Sequence, residues 1–150
     1  MVYLVYEQYK LRFEQTMNRY IDVLDEQEEL FQRTQPKTTR LDQDRVSGGE
    51  SGNKFDEYVI AKDKKKIDKR ITEIKRLLAN RKHLLEVKES ELRASKEAVD
   101  VIYCMRVLDR MKINVIASKI SYSEAQIYRY ISRITESVDK IREQWQDERK

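Results

Sequence analysis

Apolar positions along this chain fall into stripes of helical period. In YEQYKLRFEQTMNRYIDVLDEQEELFQR, Tyr6, Phe13 and Tyr20 recur every seven residues, and Met17, Leu24 and Phe31 form a second row offset by four. Rows at that spacing lie on one helix face, which must bury against something, so an N-terminal amphipathic helix is predicted over residues 1–33. Residues 34–54, TQPKTTRLDQDRVSGGESGNK, hold the single Pro and all three Gly (Gly48, Gly49, Gly52) with almost no apolar side chain. That composition reads as a flexible linker or surface loop. It is too long for a tight helical hairpin, so the first helix either folds back on the second or pairs with another chain. A long, charged, coiled-coil-like helix is predicted over residues 55–94. Ile60, Ile67 and Ile74 form one of its rows; Ile71, Leu78, Leu85 and Leu92, then Val99, form the other. Arg81 and Lys88 replace the apolar residues of the first row and weaken the seam. Ser90 and Ser95 are candidate caps; a break is expected near Ser95, with a new helix from Lys96. That helix is densely apolar (Val99, Ile102, Met105, Val107, Leu108, Met111) and reads as the core of a compact bundle. No strand-like alternation persists. The expected fold is all-α: a long helical hairpin or coiled-coil segment, then a C-terminal helix-turn-helix bundle over residues 95–150.

The stretch NVIASKISYSEAQIYRYISRI, residues 114–134, holds two short apolar-periodic segments separated by a polar break at Ser121. A helix-turn-helix needs a small residue where its two helices touch, and Ala117 stands there, with Ile116 and Ile120 beside it. The turn falls at Ser121, a position that favours Gly because its φ is often positive. Tyr122 anchors the turn to the core. Ser123 caps the second helix, and Gln126, three residues on, completes a capping box. Ile127 and Tyr130 or Ile131 point inward. The outward positions are Ser123, Glu124, Ala125, Tyr128, Arg129 and Ser132, those that meet base edges when such a helix enters a major groove. Arg129 suits a guanine or a phosphate, and Tyr128 a phosphate or a thymine methyl. Lys119 and Arg133 flank them near phosphates. The alternative is a three-helix bundle whose turn merely fits the template.

The net charge of +4 hides an asymmetry. Residues 1–34 carry four basic and seven acidic side chains, while residues 62–82, KDKKKIDKRITEIKRLLANRK, carry ten basic and three acidic. A basic stripe fits a nucleic-acid partner; a solvated coiled-coil face is the competing explanation.

Several chemistries lack their residues. His83 is the only histidine, so neither a His-based metal cluster nor a His-containing triad is available within one chain. Cys104 cannot form an internal disulfide and sits in an apolar helix, as a small core residue does. SGGESG lacks the Lys-Ser/Thr and the helix of a phosphate loop. Carboxylates are scattered over charged faces and form no acid/base pair. Trp145 either caps the core or meets a partner. No metal, cofactor or enzymatic activity is expected. There is no run of apolar residues long enough for a membrane span, and MVYLVYEQYK is not a signal peptide; the expected location is the cytoplasm.

IASKISYSEAQIYRYISRI is similar to the helix-turn-helix of sigma factor region four. More closely, it resembles small Gram-positive prophage transcriptional regulators of the ArpU and RinA type. Their pattern IA…L-x-Y-S-x-x-x-V-Y-R is occupied here by Ile116–Ala117, Ile120, Tyr122–Ser123 and Ile127–Tyr128–Arg129. KTTRLDQDRVSGGESGNKFDEYV followed by a long charged helix looks like the front of that group, so the resemblance spans about residues 35–140. Two departures stand out: Lys112, Ile113 and Asn114 replace the usual capping and acidic residues, and Ser121 replaces the usual Gly. The resemblance implies control of phage transcription in the cytoplasm of a bacterial host cell, with double-stranded DNA as partner, RNA polymerase as a second, and a homo-oligomer through the long helices. Two other readings are a phage small terminase subunit serving DNA packaging, and a coiled-coil interaction protein that binds no nucleic acid.

Overall fold

In a computed structural model the chain is described over residues 1–34 and 50–148. All regular structure among the described residues is helical: α1 (Val2–Thr34), α2 (Glu50–Ala94), α3 (Ala98–Tyr103), a π-helical turn (Cys104–Leu108), α4 (Ile113–Ile120) and α5 (Glu124–Glu148). The all-α expectation is met. Most of the expected linker, residues 35–49, lies outside the described residues, but α2 already begins at Glu50, so residues 50–54 are helical rather than linker. Glycine weakens a helix interior, yet near the first turn few intrahelical bonds depend on it. No helix among the described residues is long and apolar enough to cross a membrane.

The chain divides into two compact units, Met1–Glu14 with Asn80–Lys150, and Gln15–Ala79. The second is a two-helix hairpin in which Val23 and Leu30 of α1 bury against Ile67, Ile71 and Ile74 of α2. Val23 lies by Ile74 and Leu77, and Leu30 by Ile60 and Ile67, so the helices run antiparallel. The first helix therefore packs on its own chain. Its deepest line is Thr16, Val23 and Leu30; Tyr20 and Leu24 of the expected rows pack against that core and Met17 is half-buried, whereas Phe31 is 55% exposed against 7% for Leu30. Adjacent helical residues stand about 100° apart, so only one of Leu30 and Phe31 can face the partner helix. A salt bridge from Arg70 to Glu26, 2.6 Å, crosses the seam.

The first unit is a bundle around Tyr3, Tyr6, Leu92, Ile102, Tyr103, Cys104, Ile116, Ile127 and Ile134. The expected break is present: α2 ends at Ala94 and α3 starts at Ala98, beyond Ser95–Glu97. The next segment corrects the expectation of a uniformly apolar core helix. It is six residues of α-helix followed by a π-turn, with the Asp109 amide bonding the Cys104 carbonyl at 2.9 Å. Val107, expected inside, is 38% exposed, and Asp100 is fully buried. The wider π-turn resets the facing of the residues that follow it. The Asp100 carboxylate accepts hydrogen bonds from the Tyr3 amide (3.1 Å), the Val2 amide (3.3 Å) and the Ser95 hydroxyl (2.6 Å). A carboxylate at the positive end of α1 satisfies amides that have no intrahelical partner, so Asp100 is a distant cap for that helix. Beside it, buried Glu7 accepts the Tyr103 hydroxyl, and Tyr3 stacks on Tyr103 with ring centroids 5.2 Å apart. Trp145 is used within the chain: the Arg12 guanidinium lies 5.9 Å from its ring. Cys104 is buried, as expected, and burial pushes its thiol pKa up.

Candidate nucleic-acid interface

Helices α4 and α5 form the expected pair. Ile116 and Ile127 meet in the core, each fully buried, with Ala117, Ile120, Tyr130 and Ile131 packed around them. Burying each isoleucine contributes about 1.5–3 kcal/mol, enough to fix the crossing. Ala117 has no side chain beyond Cβ to hold the two backbones apart.

Local chemistry sets the turn. Ser121 ends α4 in the left-handed region, φ 58° and ψ 31°. A non-glycine residue there is strained by its Cβ, yet this conformation lets the chain reverse within three residues. Tyr122 then stacks on Tyr130, centroids 6.1 Å apart and planes 11° off parallel, which ties the turn to α5. The capping box is complete: the Gln126 amide donates to the Ser123 hydroxyl at 3.2 Å, and the Ser123 amide donates to Gln126 Oε1 at 3.1 Å. Glu124 occupies the first turn of α5, where a negative charge is favoured.

All eight candidate residues, Lys119, Ser123, Glu124, Ala125, Tyr128, Arg129, Ser132 and Arg133, are exposed. With 3.6 residues per turn, Ala125, Arg129 and Ser132 share the line opposite Ile127, with Tyr128 and Arg133 on its two sides. Tyr128 is 55% exposed. The Arg133 guanidinium rests 5.9 Å from the Tyr130 ring, which orients it along the helix flank. Ser123 differs from the others, because its hydroxyl is occupied by the capping box. Glu136, also exposed, continues the line one turn beyond Ser132; its place at i+4 was the available signal, and the sequence template stopped short of it.

The second motif helix corrects the expectation of a short one. It runs 25 residues, about 37 Å at the helical rise. Ile127, Ile134 and Ile141 are all buried at spacing seven, and Ile131, Val138 and Trp145 follow at an offset of four. Its N-terminal third carries the exposed polar line while the remainder locks it to the bundle. Residues 112–133 carry Lys112, Lys119, Arg129 and Arg133 against the single acid Glu124, a local excess of positive charge. Among the described residues no group of three or more His, Cys, Asp or Glu is placed to hold a metal ion. Compared with protein families, curated proteins and solved structures, the chain matches none.

Proposed function

We propose that this protein is a sequence-specific DNA-binding transcriptional regulator of phage type, using α4 and α5 as a helix-turn-helix. The observation that supports this reading most is the two-sidedness of α5. Ile127 is fully buried, while Tyr128 and Arg129 beside it stay exposed. A rigid backing and an open polar face are what a reading helix needs in a major groove. The net positive motif favours approach to phosphates, and Arg129 has the reach and donor pattern for guanine. RNA polymerase belongs to the same proposal as the partner through which bound protein changes transcription. So does self-association, since paired half-sites raise affinity. Sedimentation of the full chain as a monomer at concentrations that bind DNA removes the oligomer from the proposal.

Selection of duplexes from a random pool at low salt tests the main reading. The full chain is expected to enrich a defined sequence, with affinity falling steeply as salt rises. Arg129→Ala is expected to weaken binding to the selected site by about 1–3 kcal/mol and to relax preference at one base pair. Enrichment of no sequence, or a complex indifferent to salt, counts against the reading.

A further inference from the structure

Two sets of cations on α2 differ in their surroundings. Lys66 and Arg70 stand on the seam side with Glu26, Glu29 and Asp63, and Arg70 bonds Glu26 at 2.6 Å. Those charges neutralise the acidic first helix, as a solvated helix pair requires. Lys62, Lys65, Lys69 and Arg76 are placed differently. At 3.6 residues per turn they fall within a sector about 60° wide, about 180° from the buried Ile67, Ile71 and Ile74. All four are exposed, and none makes an ion pair among the described residues. Only Glu73 stands at the edge of the sector. Cations at i, i+3 and i+7 repel one another along a helix, and here no acid of α1 relieves them.

We infer that Lys62, Lys65, Lys69 and Arg76 form a second nucleic-acid contact, a straight row that binds the phosphates of duplex DNA without reading its sequence. The inference rests on the DNA-binding reading above. The row is about 21 Å long, a length over which duplex DNA carries about a dozen phosphate charges. A straight polyanion matches a straight row of cations. An anionic membrane is the poorer fit, because surface helices hold to lipid by an apolar face, and the apolar face of α2 is buried against α1.

The experiment compares the full chain with a K62Q/K65Q/K69Q/R76Q variant, a version with the three lysines changed to arginine, and Arg129→Ala. Each is titrated with a selected and an unrelated duplex over a salt series. The glutamine variant is expected to lose at least about a hundredfold in affinity for both duplexes alike. Its salt slope is expected to fall by about 3–4, and the arginine version is expected to retain both. Unchanged melting temperature confirms that the glutamine variant folds. If Arg129→Ala loses sequence preference while the glutamine variant keeps full affinity and slope, the row is overturned and the helix-turn-helix stands. If the unaltered chain binds no duplex, both fall. Binding to phosphatidylserine vesicles without binding to DNA overturns the row in favour of lipid.

Discussion

Single residues decide whether the turn and the core hold. Ser121 adopts φ 58°, a region in which a Cβ costs about 1–2 kcal/mol. Glycine removes that cost but gives back part of it through a freer unfolded chain. Ser121→Gly is therefore expected to stabilise the protein by about 0.5–1 kcal/mol in denaturant unfolding; a destabilised variant contradicts the strain. Tyr103 supplies a second residue-scale test. Burial first, and then its bond to Glu7, push its phenol above the ordinary value of 10.0, and burial pushes Tyr6 up as well. A raised value in the folded state means that stability is fully present below the unfolded pKa, near 10, and is lost as pH rises beyond it. Melting temperature is expected to fall more steeply above that pH than ordinary surface titration explains. Tyr103→Phe is expected to shallow the fall, and an identical alkaline profile contradicts the account. Ser123 and Gln126 were legible in the sequence because a capping box is local, four residues long and chemically marked. Asp100 and Glu7 were not. Asp100 meets backbone amides 97 and 98 residues away, and backbone donors carry no residue signature.

Helices were legible in period and less so in phase. In α1 the row Thr16, Val23, Leu30 competes with Met17, Leu24, Phe31 at the same spacing. The polar Thr16 hides the deepest row from an apolar pattern, although Thr16 is 1% exposed; Leu24 of the expected row packs beside it and Phe31 lies outside. The unbroken course of α5 was written in Ile127, Ile134 and Ile141, which continue past the turn-and-helix template. The π-turn had no counterpart in the sequence, because a register reset leaves residue types unchanged. At this scale the test is the cap that α3 provides for α1. Asp100→Ala removes a buried carboxylate from two amides and a hydroxyl, and is expected to cost about 2–4 kcal/mol. Hydrogen exchange in the first turn of α1 is expected to accelerate with it. A loss below about 0.5 kcal/mol contradicts the cap, since it lies under the usual worth of one hydrogen bond.

At the scale of the whole molecule, a modest net charge of +4 conceals local fields that matter more. One lies on the motif, where Arg129 and Arg133 face outward, and another on the outer line of α2. A buried hydrophobic line behind each keeps the charged side chains in fixed register, so both faces act as surfaces rather than as loose tails. The outer face of α5 is proposed to touch bases, and site-specific photocrosslinking reads that contact: benzoylphenylalanine replaces Tyr128 in one full-length protein and Phe31, 55% exposed on the acidic α1 and off both proposed DNA faces, in another. Each is irradiated on the same selected duplex. A crosslink to a base within the selected site is expected from position 128 and none from position 31; equal yields from both positions, or a crosslink from 31 alone, would contradict the helix-turn-helix reading.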